Sequence, residues 1–375
     1  MSEISWTEDG TERIAHWRSE SGAPAPERIE PIDDTVTADQ ALRRLRQGSA
    51  LLWRGDYPGA RQLLSAIGRR LDRRRAPTHR DIARLFTAHR AQRAERARLL
   101  GGLLVELQPG HRVDLRRAPD ISAACREAYG DLREPTLVSL SELLGVLSAH
   151  QWQQKGVWIP ALEAYVHPRH SVFSPVRSEY VDLVAEAPLP AADGAVTAFD
   201  LGTGTGVLAA VLARRGVARV LASDINPRAV QCARDNVRRL GLAERIEVIE
   251  TDLYPPGRAD LLVCNPPWLP GAASSRLELG VYDQDSAMLR GFLAGIEGHL
   301  NPGGEAWLVI SDLAEHLQLR RAEDLPGLIQ EAGLEVIGSH STRARHPRSR
   351  DPKDLLHAAR SREVTTLWRL RPARR

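Results

Sequence analysis

The chain has 375 residues, 42% of them hydrophobic, and its 51 Lys and Arg against 48 Asp and Glu leave a formal net charge of +3. That is enough for a soluble protein with one large domain and a smaller companion. No run approaches the roughly 18 apolar residues of a membrane span, the polar start "MSEISWTEDGTERIAHW" is unlike a signal peptide, and the expected location is cytoplasmic.

In chain order, residues 1–36 lack periodicity and contain "SGAPAPERIEPIDD", which predicts a disordered or loosely docked leader. Residues 37–155 read as a mainly helical accessory domain for substrate recognition. "TADQALRRLRQGSALLWRG" opens with a Thr or Asp cap and spaces its apolar residues three and four apart; "ARQLLSAIGRRL" and "HRDIARLFTAHRAQRAERARLLGGLL" repeat the habit. "LLVELQPGHRVDL" suggests a short hairpin about its Pro-Gly pair, and "ISAACREAYG" and "TLVSLSELLGVLSAHQW" suggest further helices. Arginine recurs from Arg69 to Arg98, with Asp72, Asp81 and Glu95 as the only balancing charges, and again from Ser341 to Lys353. Such clusters bind phosphates or acidic protein surfaces, or are simply solvated faces of an arginine-rich chain. The second one is also placed to clamp a substrate.

Residues 156–180 carry two extended runs flanking Glu163 and Ala164, a hairpin linking two domains; Pro175 then precedes a helix that Ser178 can cap. From 181 to 375 short strands alternate with amphipathic helices: "AVTAFDLG", "ARVLASDIN", "RIEVIETDL", "ADLLVCNPP", "EAWLVISD", "LEVIGSHS" and "EVTTLWRL" are the strand candidates. The fold class is therefore α/β, a doubly wound and mostly parallel seven-stranded sheet covered on both faces. Ligands of such sheets bind at the carboxyl ends of the strands.

Unusual residues fall at those ends. "FDLGTGTGVLA" offers Asp200, Gly202, Gly204 and Gly206 after the first strand, glycines that let a ligand approach a helix amino terminus or merely make a tight turn. Asp224, in "ASDINPRAV", ends the second strand, where a carboxylate accepts both hydroxyls of a ribose; it can equally cap the helix that Asn226 and Pro227 begin. Asp252, in "IETDLYPP", ends the third strand, close to where an adenine amine would lie. "LLVCNPPWLPG" ends an apolar strand in Asn265, Pro266, Pro267 and Trp268, residues that suit a grip on a flat polar group, or a terminating turn with a packed tryptophan. Glu278, Tyr282 and Asp283 line an acceptor pocket or lie at the surface, and "NPGG" at 301–304 predicts a connecting turn. Cys125, Cys232 and Cys264 are far apart without a CxxC pair, so neither a disulfide framework nor a metal site is expected.

The order "DLGTGTG", "SDINPRAV", "TDLY", "NPPW" resembles the class I S-adenosylmethionine-dependent methyltransferases, and within them the HemK-type amino-methyltransferases with their Asn-Pro-Pro-Tyr motif. "SPVRSE", 174–179, is similar to that family's "PRPxTE" stretch. The resemblance implies a Rossmann-like domain with S-adenosyl-L-methionine as cofactor. Asp200, Gly202, Gly204 and Gly206 would hold its methionine part, Asp224 its ribose hydroxyls and Asp252 its adenine, with Thr203, Ile225 and Leu253 also in the cofactor site. Asn265 would grip an acceptor NH₂ with its side-chain oxygen and the Pro266 carbonyl, beside the cofactor's methyl group, with Pro266 and Pro267 fixing the turn. Trp268, where the family has tyrosine, would stack on a planar amide or base. The implied acceptor is a planar nitrogen on a protein or RNA of the translation machinery. A small-molecule acceptor and a non-catalytic cofactor- and RNA-binding protein are the alternatives.

Overall fold

A computed structural model describes residues 2–73, 76–191, 194–273 and 277–373. They form two units, Met1–Gln151 and Trp152–Arg375.

The first unit begins with a β-hairpin where a disordered leader was expected. Strands β1 (Ser2–Glu8) and β2 (Thr11–Trp17) pair antiparallel with Glu8 opposite Thr11. Asp9 and Gly10 between them have φ of 51° and 76°, the doubly left-handed turn that Asp-Gly favours in two-residue hairpins. Ile4, Trp6, Ala15 and Trp17 are buried on one face. There follow β3 (Ile29–Ile32), α1 (Ala38–Arg46), β4 (Ala50–Trp53), α2 (Tyr57–Asp72), α3 (Ile82–Gly101), β5 (Leu103–Leu107), α4 (Ser122–Tyr129), β6 (Thr136–Ser139) and α5 (Leu140–Lys155). Thr37 starts α1 through a reciprocal cap with Gln40.

The unit is α/β, not mainly helical. Its strands lie in the order β1-β2-β6-β5-β4-β3, with β3, β4 and β5 mutually parallel. "ALLW" and "TLVS", assigned to helices from the sequence, are strands buried at every residue. Burial on both faces erases the alternation that marks a strand. The Pro-Gly segment forms one turn, Pro109–His111, and a single bridge between Gln108 and Arg112 in place of a hairpin.

The second unit opens with the antiparallel pair β7 (Val157–Ile159) and β8 (Ala164–Val166), then α6 (Glu179–Glu186). Ser178 stands at the start of α6, but its side chain makes no capping bond. The main sheet is built from β9 (Thr197–Leu201), α7 (Val207–Arg214), β10 (Arg219–Asp224), α8 (Pro227–Arg239), β11 (Ile246–Glu250) and β12 (Ala259–Cys264). After the short pair β13 (Leu269–Pro270) and β14 (Tyr282–Asp283) come α9 (Ala287–His299) and β15 (Leu300–Ser311). The chain closes with α10 (Leu313–His316), α11 (Asp324–Glu331), β16 (Leu334–Arg343), α12 (Pro347–Arg350), α13 (His357–Arg360) and β17 (Val364–Pro372).

The seven strands run in the order β11-β10-β9-β12-β15-β17-β16, and β17 is antiparallel to both its neighbours while the others pair parallel. All seven segments expected as strands contribute. "NPGG" is not a free turn but bulges out of β15: Ala259 pairs with Leu300 and Leu261 with Glu305, and Asn301 donates to Asp260 at 2.7 Å. The chain moves outward from β9 through β10 to β11, then returns to place β12 on the other side of β9. That reversal opens a crevice at the carboxyl ends of β9 and β12. Among the described residues no helix is long and apolar enough to cross a membrane.

Candidate functional site

Leu201 and Cys264, the last residues of β9 and β12, are register partners. Adjacent strands lie about 5 Å apart, so the glycine loop after β9 and the Asn265 turn after β12 start side by side. Gly202, Gly204 and Gly206 all have positive φ, 71°, 56° and 80°, which an L side chain adopts only with strain. A Cβ on Gly206 would also lie 3.2 Å from the Cβ of Ala233 in α8. Around Gly204 a Cβ would meet nothing within 4 Å, so the middle of the loop faces open space.

Asp200 is buried at 1% exposure. Its Oδ2 accepts the Thr203 hydroxyl at 2.5 Å and the Ala209 N–H at 3.0 Å, binding the loop to the first turn of α7. Burial raises its carboxyl pKa to about 6, against those two hydrogen bonds, with the nearby Asp224 adding to the rise. Asp200 thus shapes the loop from beneath.

Asp224 stands at the tip of β10. Its Oδ2 accepts the Gly204 N–H and its Oδ1 the Asn226 N–H, each at 2.9 Å. Asn226 caps α8 through the Arg228 N–H, so Asp224 is not the cap of that helix. Burial pushes its pKa above the usual carboxylate value. Ile225 beside it is 67% exposed, an apolar side chain held out at a strand end. Leu253 adopts φ of 62°, and its carbonyl accepts the Ser223 hydroxyl at 2.5 Å. Asp252 is exposed in the same turn.

After β12, Pro266 is buried and Asn265 half-buried. The Trp268 indole Nε1 donates to Asn265 Oδ1 at 2.8 Å, and the Arg177 guanidinium carbon lies 4.8 Å from the centre of the Trp268 ring. Arg177, from the "SPVRSE" stretch, also bonds Glu179 at 3.2 Å and Glu363 at 2.8 Å. Glu363 is 1% exposed and accepts the Ser311 hydroxyl at 2.8 Å. Burial works to raise its pKa, but His346, Arg177 and Ser311 outweigh that and hold it below the usual value.

These partners were not singled out from the sequence. Glu363 precedes β17 and Ser311 ends β15; nothing local marks either, and only the antiparallel return of β17 joins them. Asp283 proves buried, accepting the Met288 and Leu289 N–H groups in the first turn of α9; it is a helix anchor. Glu278 and Tyr282 are half-buried. Of the Ser341–Lys353 cluster, His346 faces Glu363 at 3.4 Å, while Arg343, Arg345, Arg348 and Arg350 are exposed. The three cysteines are free and buried, and no group of three or more His, Cys, Asp or Glu suited to a metal ion occurs among the described residues.

Residues 165–322 match the family model of the methyltransferase small domain. A release factor glutamine methyltransferase of Moorella thermoacetica is 38% identical over 139 residues, 33% of this chain and 49% of that protein. Its counterpart from Cereibacter sphaeroides is 32% identical over 152 residues, 37% and 52% of the two chains. A tRNA1(Val) (adenine(37)-N6)-methyltransferase of Cytophaga hutchinsonii is 31% identical over 153 residues, 38% and 62% of the two chains. The chain spans about half the length of the release factor enzymes that it matches.

Proposed function

We propose that the carboxy-terminal unit, a class I S-adenosylmethionine-dependent methyltransferase domain related to the release factor glutamine methyltransferases, methylates a planar NH₂ nitrogen on a protein or RNA of the translation machinery. The observation that carries this is the register of β9 and β12, which sets Asn265 beside the glycine loop.

The residues present fit the cofactor. Gly204 leaves open space in the loop, Asp224 keeps carboxylate lone pairs beyond its two backbone bonds, and Ile225 offers an exposed apolar surface for an adenine face. Gly202, Thr203 and Gly204 would hold the methionine end, with Asp200 and Gly206 fixing the loop; Asp252 and Leu253 would border the adenine. When bound, S-adenosylmethionine supplies an electrophilic methyl group on a sulfonium. Asn265 Oδ1 and the Pro266 carbonyl each accept one N–H of the acceptor, which leaves the nitrogen lone pair free and aimed. Pro266 and Pro267 stiffen that turn, and orientation of this kind supplies much of the rate.

The amino-terminal unit selects the acceptor. Arg84, Arg93 and Arg98 are exposed along α3, whereas Arg70 and Arg96 already pair with Asp39 and Asp72. Three exposed arginines on one helix favour a polyanionic or acidic macromolecule over a small acceptor.

Purified protein incubated with radiolabelled S-adenosylmethionine and a cell extract, then separated into protein, RNA and small-molecule fractions, tests this. Label is expected in one macromolecular fraction, and Asn265→Ala should abolish it while retaining cofactor affinity. Undiminished labelling by Asn265→Ala would remove Asn265 from the mechanism, and label in small molecules alone would replace the acceptor class.

A further inference from the structure

We propose that Trp268 is a positioning residue for Asn265, a role that rests on methyl transfer at Asn265 and deepens it. The indole nitrogen is a donor only, so its 2.8 Å contact decides which end of the Asn265 amide is oxygen. It occupies one of the two lone pairs of Oδ1. The other remains for an acceptor N–H. With the amide turned over, Asn265 would present NH₂ to NH₂, two donors facing each other.

Trp268 is held for that purpose on several sides. Arg177 covers one face of the ring, Arg320 donates to the Trp268 carbonyl at 3.3 Å, and the ring packs against the hydrophobic clusters on both faces of the sheet. Arg177 is itself anchored between Glu179 and Glu363, whose side chains are 2% and 0% exposed. A ring wedged in this way, with a cation over one face, serves as an oriented donor and not as a platform on which the acceptor stacks. The expected stacking role of Trp268 is replaced by a hydrogen-bonding one.

The test has a readout that needs no acceptor. In full-length protein labelled with ¹⁵N-tryptophan, the Trp268 indole N–H, assigned by its loss in Trp268→Phe, should exchange slowly with solvent. Asn265→Leu should accelerate that exchange about tenfold or more, as loss of one half-buried hydrogen bond implies. Methyl transfer is then measured with radiolabelled S-adenosylmethionine and the extract fraction that wild-type protein labels.

Trp268→Phe, and β-(3-benzothienyl)alanine at position 268, which exchanges the N–H for sulfur with the ring shape retained, should lower the maximal rate about tenfold. The half-saturating extract concentration and the cofactor affinity should not change. An unaltered maximal rate with the isostere, or rapid indole exchange in wild-type protein, would overturn the proposal. So would a raised half-saturation at an intact rate, which is the signature of a stacking surface. If wild-type protein labels nothing, methyl transfer itself falls and this role with it, while slow indole exchange would still show that the contact forms.

Discussion

Gly204 donates its N–H to Asp224 across the ends of two neighbouring strands, at 2.9 Å. One carboxylate therefore sets the shape of the glycine loop and borders the open space before it. Loop and carboxylate cannot be altered independently.

Asp224→Ala should weaken S-adenosylmethionine binding by roughly 1–3 kcal/mol, from lost hydrogen bonds to the ribose and a slackened Gly204. Titration calorimetry measures it directly. An affinity equal to that of wild-type protein would place the ribose elsewhere.

Asp200 should give stability a pH dependence of definite sign. Its folded pKa, about 6, lies above the ordinary aspartate value of 3.8, so its contribution is fully present below the unfolded pKa and is lost as pH rises through the folded one. Between about pH 4 and 6 the unfolded chain releases a proton that the folded one retains, and stability falls by an amount of the order of 2–3 kcal/mol. Asp200→Asn keeps an oxygen for Thr203 and Ala209 without that proton. Its urea midpoint relative to wild type should climb from pH 4 to pH 7, and parallel midpoints would refute the assignment.

Arg177→Met should destabilise the second unit by about 3 kcal/mol, because it leaves Glu179 buried without its cation and Glu363 with only His346 and Ser311 as partners. The double variant Arg177→Met, Glu363→Gln should recover part of the loss. Denaturant unfolding of the single and double variants decides this; simple additivity would mean that the pair is not coupled.

The site was legible wherever chemistry is packed into a few consecutive residues. Gly202 to Gly206, Asp224 and Asn265 to Trp268 each sit at a strand end and announce themselves by residue type. Glu363 and Ser311 are 52 residues apart in sequence, brought together by the reversed strand β17, and pairing over such a span leaves no local pattern. In the first unit, Ala50–Trp53 and Thr136–Ser139 are buried on both faces, so their apolar runs read as helix. The Asp9-Gly10 turn was readable, since residues on either side alternate between inward and outward faces; the proline-rich stretch that follows obscured it.

That hairpin has a practical consequence. β2 is an interior strand, hydrogen-bonded to β1 on one side and to β6 on the other. A version of the protein trimmed to begin near residue 20 would lose both strands and leave β6, whose Leu137 is fully buried, as a bare edge with unpaired N–H and C=O groups. Such an edge recruits strands from other molecules. Poor recovery of a shortened protein would then reflect sticky sheet margins rather than any damage to the second unit.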